Sequence, residues 1–454
     1  MGARLTDSAA YGHLWGTAET RALFEERARL GTWTRILVAL ARAQADEGLV
    51  PGAAADAIAR ADPDDLDVDL VAAETRRTGH STLGFIRGLQ AILPEHAREW
   101  VYYGATVQDV TDTWFALTMR DVGALVWRDL TAVERSCIQL ARQHRDTAMA
   151  GRTHGQVGAP ITFGLKAAGW ADEVGRHLDR LEQGRDRWLV AQLAGAVGTL
   201  DFFGARSGDV RRRFCAQLGL GEPPISWTSA RDRVAEFVVV LALVTATLAR
   251  IANEIFELQR PEIGEVREPA GADTVGSITM PHKRNPERSE HIVTLSRLVR
   301  AQAGVVLEGM VSEHERDGRA WKAEWAAFPE ACLLSSAALS AAADLLAGLE
   351  VDEAAMSANL AAASGWHSSE RVLARLSPRL GKHRAQSLLQ ELARRGRARG
   401  QSLAEALSAS DELRTHLGDD AIASLSEAAG TGAAGEMVDA VVRRARGAAG
   451  SAWA

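Results

Sequence analysis

The stretch Val234–Ile255, VAEFVVVLALVTATLARIANEI, decides the fold class, because it is apolar on nearly every face and contains neither glycine nor proline. A helix that is apolar all round has to be enclosed by other elements on several sides. Those neighbours are legible on either side of it. Leu130, Val133, Cys137 and Leu140 step by three and four, as do Phe163, Ala167, Trp170, Val174, Leu178 and Leu181. Ile292, Leu295, Val299, Ala303, Val306 and Met310 repeat the step. Each set is one stripe of an amphipathic helix. With only 12 prolines in 454 residues, and long stretches rich in alanine, leucine, arginine and glutamate, helices are favoured over strands throughout. The expected fold is all-α, with three helical domains: residues 1–104, a central bundle of long helices over 105–347, and a smaller Ala/Arg-rich tail over 348–454. Turn signals in the first domain fall at Leu49-Val50-Pro51-Gly52 and Ala61-Asp62-Pro63-Asp64. The surplus apolar surface of such a bundle is most simply buried against further copies of the chain, so a homo-oligomer is expected. The last stretch, GAAGSAWA (447–454), is expected to fray.

Composition removes several function classes. A chain that is 46% hydrophobic and 24% charged is globular rather than disordered. The excess of 59 Asp+Glu over 52 Lys+Arg offers no basic field for a phosphate backbone, and no nucleic-acid partner is expected. Cys137, Cys215 and Cys332 lie far apart, with neither disulfide nor zinc spacing. The N-terminus lacks an apolar leader and no run reaches the roughly 18 apolar residues that cross a bilayer, so a cytoplasmic protein without a membrane partner is expected. No metal cluster or dinucleotide fingerprint is present, and no cofactor is expected.

Three non-periodic segments carry groups able to do chemistry. Pro261–Pro286, PEIGEVREPAGADTVGSITMPHKRNP, is punctuated by Gly264, Gly271 and Gly276, as a long surface loop would be. It ends in Asn285-Pro286, which reads as an N-cap and first helical residue and places Lys283 and Asn285 at a helix N-terminus that attracts anions such as a carboxylate. Tyr102–Asp109, YYGATVQD, leads into a helix and presents Thr106 and Gln108. Gly151–Gln156, GRTHGQ, sets His154 between glycine-flanked turns ahead of Pro160, which is expected to open the next helix; a histidine there can exchange protons near neutral pH. Taken singly, each is a capped helix or a structural histidine.

Taken together, they resemble the fumarase/aspartase superfamily. GSITMPHKRNPERSE is similar to its GSSxMPxKxNP motif, GRTHGQ to its Thr-His segment and YGATVQD to its Ser-Ser-Asn-Asp-type segment, in the same order and over about residues 15 to 420. The resemblance implies homotetramers with a core of twenty helices, in which segments from three subunits form each composite active site. It also implies anti β-elimination, or the reverse addition, on succinate-like dicarboxylates, usually releasing fumarate. By residue match Ser277 is the base, His154 protonates or orients the leaving group, and Glu290 pairs with that histidine. Lys283, Asn285 and Thr106 or Thr153 match the positions that hold the substrate carboxylate, and His80 in RRTGHST matches a second active-site histidine of adenylosuccinate lyases.

Departures from the pattern narrow the substrate. Ile278 stands for the second serine of the first motif and Val107 for that of the YGATVQD segment. EHERDGRAWKAEWAAFPE, with Trp321 and Trp325, replaces the stretch with which adenylosuccinate lyases hold a phosphate. The same stretch, with TMPHKRNP, FGLKAAGW and SARDRVAEF, resembles bacterial 3-carboxy-cis,cis-muconate cycloisomerases, whereas THGQ and NPERSE resemble adenylosuccinate lyase. Lys166, Arg176 and Arg316 are candidate cations for a nitro or carboxylate group, while Trp170 is expected in the core. The leading expectation is a carbon–nitrogen lyase that forms fumarate from a small nitro- or amino-substituted succinate. The cycloisomerase is the alternative and adenylosuccinate cleavage a lesser one. A non-catalytic scaffold of the same fold, as in lens crystallins, is disfavoured by the presence of Ser277, His154, Lys283 and Asn285.

Overall fold

The structure, a computed structural model, describes residues 4–271, 275–427, 430–445 and 453. Five long helices form its spine: α1 (Val107–Gln143), α2 (Phe163–Trp188), α3 (Asp232–Leu258), α4 (Glu287–Glu308) and α5 (Gly318–Ala347). The apolar stripes face inward as expected. Leu130, Val133 and Cys137 of α1, Val174, Leu178 and Leu181 of α2, and Ile292, Leu295 and Val299 of α4 are all fully buried. The α4 stripe stops short of its expected end. The helix finishes at Glu308, and Met310 lies beyond it, 43% exposed.

Helix α3 is enclosed by α2, α4 and α5, which accounts for its apolar circumference. Both α3 and α5 have the length and composition to cross a bilayer, but about two thirds of each apolar window is buried inside the bundle. Shorter helices from the first hundred residues, the longest Glu26–Asp46, pack against α1. A second, smaller core containing Val372, Leu376, Leu389, Leu403 and Leu413 lies in the C-terminal part. The helix Ala434–Arg444 returns from that part to α1 and α2, where Arg145 grips Asp439 through two hydrogen bonds of 2.9 and 2.8 Å. Near the chain end, Trp453 is buried, its ring centroid 6.4 Å from that of Trp188, and it fills the space above Gly123, where a Cβ would lie 2.3 Å from the indole. The fraying expected for 447–454 therefore fails at Trp453, since burying an indole outweighs ordering one residue. The other residues of that stretch lie outside the described ones.

Two short antiparallel ribbons interrupt the helices: β1 (Ala148–Thr153) with β2 (Gln156–Thr162), and β3 (Val266–Arg267) with β4 (Glu350–Val351). Pro160 lies within β2 rather than opening a helix. Helix α2 begins at Phe163, with the Thr162 side chain accepting from Leu165 N–H at 3.0 Å.

Between α2 and α3 lies a buried histidine. His177 Nε2–H donates to Thr247 Oγ1 at 2.7 Å, that hydroxyl donates to Glu173 at 2.6 Å, and Arg180 donates to Nδ1 at 3.1 Å. Burial, reinforced by the Arg180 charge, pushes the imidazole down to about 4. In the unfolded chain the ordinary value is about 6.5. Between these values only the unfolded chain takes up the proton, so this group's contribution to stability is complete above pH 6.5 and is lost as pH falls toward 4, by at most about 3 kcal/mol. In urea titrations, His177→Gln is expected to remove that part of the acid sensitivity. Parallel pH profiles for the two proteins would refute the assignment.

Candidate active site

The YGATVQD segment is held by its own carboxylates. Gly104 takes φ +74°, and a Cβ there would meet Phe203 at 2.4 Å, so glycine is required at this turn. Asp109, one turn into α1, is buried; it accepts from the N–H groups of Thr106 (2.8 Å), Ala194 (2.8 Å) and Gly195 (3.2 Å). It thus ties the start of α1 to the loop that follows α2. Burial pushes the Asp109 carboxyl up to about 7, although the three donors pull it down.

Three of the expected site residues meet here. Arg316 donates from Nε to Gln108 Oε1 (2.8 Å) and from Nη2 to Thr106 Oγ1 (3.0 Å) and to the Ala196 carbonyl (3.0 Å). Gln108 itself is fully buried, and its Nε2 donates to Asp112 (3.2 Å) and to the Thr228 carbonyl (3.0 Å). Both ends of its amide are occupied. Within the chain Gln108, expected as a substrate contact, holds Arg316.

GRTHGQ forms the tip of the β1–β2 hairpin. His154 and Gly155 have φ +55° and +72°, the two left-handed residues of a tight two-residue turn whose twist suits the ribbon. Thr153 and His154 are exposed at that tip. One residue below, Arg152 makes a bidentate pair with Glu265 at 2.9 and 2.7 Å, and Asn359 Nδ2 donates to the same carboxylate at 2.9 Å. Glu265 is completely buried at the entrance to the long loop. The hairpin that carries His154 is thereby bolted to the loop that carries Ser277.

Ser277 is half-buried, and its Oγ accepts the Met280 N–H at 3.1 Å. Lys283 closes the same turn through its N–H to the Met280 carbonyl at 2.9 Å, and its side chain is exposed. The helix N-terminus beyond is arranged differently from expectation. Helix α4 starts at Glu287 with Pro286 at the cap, and Asn285 lies one residue outside, its Nδ2 donating to Glu287 at 3.2 Å. The second and third N–H groups of the helix, of Arg288 and Ser289, are taken by buried Glu268 at 3.1 and 2.9 Å, and the Ser289 hydroxyl adds a bond of 2.5 Å. Two first-turn donors of this helix are thus met by a carboxylate of the chain itself.

His80 is exposed; its Nδ1 accepts from the N–H groups of Thr82 (3.3 Å) and Leu83 (3.2 Å), at the start of helix Leu83–Ile92. Neutral His80 therefore carries its proton on Nε2, facing outward. Arg176 lies apart from the Arg316 group in the chain. It pairs with Asp172 on an α2 face that meets helix Ala434–Arg444, roughly 20 Å along α2 from its start. Residues four apart share a helix face, so a local ion pair suffices to hold the side chain. Lys166 is likewise occupied, by Glu254 at 2.6 Å, and Trp170 is core, as expected. Among the described residues no hydrogen bond or ion pair joins the Arg316 group, the His154 tip and the Ser277 turn, and Glu290 is exposed without contact to His154.

Sequence reading overlooked the carboxylates beneath these segments. Arg231 is buried between two of them, donating to Asp112 at 2.8 and 3.0 Å and to Glu324 at 3.0 and 2.5 Å. The available signal was Asp109 and Asp112, three residues apart and so on one face at the start of α1.

Comparison with known proteins agrees with the geometry. The "Lyase" family description matches residues 9–301. N-acetyl-S-(2-succino)cysteine lyase of Dickeya dadantii is 38% identical, covering 98% of this chain and 99% of its own length. Nitrosuccinate lyase of Streptomyces davaonensis is 38% identical, over 91% and 90% of the two chains. The crystal structure of 3-carboxy-cis,cis-muconate lactonizing enzyme from Pseudomonas putida superposes with TM-score 0.89 at 34% identity, covering 96% of this chain and 99% of that one.

Proposed function

The chain belongs to the lyase family of the fumarase/aspartase superfamily, and on that basis we propose that it releases fumarate from a 2-substituted succinate by β-elimination, with Ser277 as base. The bond broken in this reading joins carbon to the nitrogen of a nitro or amino substituent. The observation that carries it is the Ser277 turn, in which a backbone N–H is already directed at the hydroxyl oxygen and so stabilises an alkoxide. Ser277 takes the proton from Cβ, and the electron pair moves into the adjacent carboxylate as the aci-form. Collapse of that form makes the double bond and expels the substituent with the bonding pair. Arg316, held on Thr106 and Gln108, supplies the cation for a substrate carboxylate.

A second reading changes only the departing atom. Dickeya N-acetyl-S-(2-succino)cysteine lyase acts, as its name states, on a succinyl group carried by sulfur, and the same proton abstraction would expel a thiolate. The cycloisomerase alternative keeps the support of the Pseudomonas putida structure. A nucleotide substrate has less support. Arg319 is engaged by Asp317 (2.7 Å) and Glu313 (2.9 Å), and Trp321 packs edge-on against Trp325 at 4.7 Å where a phosphate would need cations.

The proposed site is shared among copies of the chain in a homotetramer. Apolar groups in water support this: Ile278 is 95% exposed, Val275 70% and Val311 80%, with Leu243, Leu298 and Val305 also open on the bundle. Gel filtration is expected to give about four times the 48.7 kDa chain, and a monomer mass would end the shared-site proposal. The function is tested by absorbance at 240 nm on mixing the protein with nitrosuccinate, aspartate, N-acetyl-S-(2-succino)cysteine, adenylosuccinate and argininosuccinate, with nitrite, ammonia and free thiol assayed in parallel. Fumarate with nitrite or ammonia supports the nitrogen reading, and fumarate with thiol the sulfur one. Consumption of carboxymuconate with no fumarate from any of the panel would transfer the assignment to the cycloisomerase. Because an amine departs only with a proton whereas nitrite needs none, His154→Asn is expected to cost an amine substrate about 10²-fold and to leave nitrosuccinate nearly unaffected. Equal losses on both would remove the acid role.

A further inference from the structure

Among the described residues Arg316 is the cation hydrogen-bonded to the side chains of the YGATVQD segment, and the way it is held implies more than contact. Its Nε faces an oxygen only because the Gln108 amide is oriented with that oxygen outward. The orientation is forced from the other end. Nε2 lies 3.2 Å from Asp112 Oδ2 and 3.0 Å from the Thr228 carbonyl, both of which can only accept, so the amide cannot be reversed without setting acceptor against acceptor. Asp112 is fixed in turn by both terminal nitrogens of Arg231, whose other bonds go to Glu324 and to the Thr228 carbonyl. In this buried set one guanidinium faces two carboxylates, of which Asp112 is the one that Gln108 meets. The backbone beside Arg316 is held by the same unit, since Thr228 Oγ1 donates to the Glu315 carbonyl at 3.0 Å. Among the described residues Nη1 of Arg316 makes no hydrogen bond, and that is the edge left for a substrate.

We propose that Gln108, oriented by Asp112, is a positioning residue that aims Arg316 at the substrate carboxylate. The chain of contacts Glu324, Arg231, Asp112, Gln108 and Arg316 converts an otherwise mobile side chain into a preset clamp, and substrate binding is spared the cost of ordering it. This rests on the reading of Arg316 as the carboxylate ligand, and the test separates the two.

Steady-state kinetics are measured on the full-length protein with whichever panel substrate releases fumarate, for wild type, Gln108→Met, Arg316→Met and the double variant. A clamp that binds ground and transition states alike acts on KM. Gln108→Met is expected to raise KM about tenfold with kcat within about threefold, and to add nothing once Arg316 is methionine. A residue that only supported the fold would lower melting temperature and active fraction without this split. Gln108→Glu supplies an independent readout. Its carboxyl, set against Asp112, shares a proton with it, and while protonated it reproduces the amide, donating to Asp112 and accepting from Arg316. Its KM is expected near wild type in acid and to rise as that proton leaves, over a range where wild-type KM is flat. If Arg316→Met leaves KM unchanged, Arg316 is not the carboxylate ligand, and both ideas fall. If Arg316→Met raises KM but Gln108→Met does not, the positioning proposal alone is overturned. Should Gln108→Met fail to fold, a flat KM profile for Gln108→Glu overturns it equally.

Discussion

Replacing Ser277 with alanine is expected to lower kcat/KM for fumarate release about a thousandfold while leaving the folded protein intact. The size follows from the role. A positioned base contributes about 10²–10⁴ to proton abstraction, and a thousandfold corresponds to roughly 4 kcal/mol of lost transition-state stabilisation. The intact fold follows from the location. Ser277 lies in a loop, its side chain accepts one hydrogen bond from Met280 N–H, and its nearest apolar neighbours in sequence, Val275 and Ile278, are in solvent. Losing one such bond costs about 1 kcal/mol locally. The measurement is kcat/KM at 240 nm beside circular dichroism and gel filtration of the same preparation. Equal activity in the two proteins would remove the elimination mechanism; loss of activity together with loss of the oligomer would mean that the loop is an assembly element rather than the base.

The largest effect on stability is expected at Arg231. Burial pushes the Asp112 and Glu324 carboxyls up, and the guanidinium between them is what draws them back toward the ionised state. Arg231→Met removes that partner from two carboxylates that have essentially no access to water. Breaking a buried pair from one side costs about 3–5 kcal/mol, because the remaining charge has neither water nor counter-ion. The pH dependence identifies the cause. Without Arg231 both acids hold their protons more tightly in the folded variant than in the unfolded chain, so above their ordinary range the folded variant binds more protons and loses stability as pH rises. The gap in urea midpoint between wild type and variant is therefore expected to be smaller at pH 5 than at pH 8. A gap that does not change with pH would mean that the loss is one of packing and not of charge.

How much of this was legible in sequence depends on the range of the interaction involved. Periodicity is local: stripes such as Leu130–Val133–Cys137 are set by the 3.6-residue turn and name the buried face before any partner is known. The all-round apolar character of Val234–Ile255 likewise dictates enclosure by other helices. The three polar segments were legible as loops because glycine and proline interrupt those stripes, and their chemistry was legible because Ser277, His154, Lys283 and Thr106 stand at motif positions. Helix boundaries were less secure. Asn285-Pro286 and Pro160 both carry helix-start signals, yet the starts lie at Glu287 and Phe163, since a long-range acceptor, Glu268, and a strand pairing, β1 with β2, outcompete the local preference.

What only the tertiary structure decided is which polar groups are already used. In sequence, Gln108, Arg176 and Lys166 are as available as Arg316. In the fold Gln108 is closed off by Asp112, Thr228 and Arg316, Lys166 is paired with Glu254, and Arg176 is paired with Asp172 far along α2, whereas Arg316 keeps a free edge on the YGATVQD segment. Hydrogen-bond capacity is finite and buried groups must satisfy it, and their partners here lie from four residues away to more than two hundred. Composition and spacing therefore determined the helical class and the chemistry this chain carries. Pairing in the folded chain, local for Arg176 and long-range for Lys166 and Arg316, determined which contacts each of these cations makes.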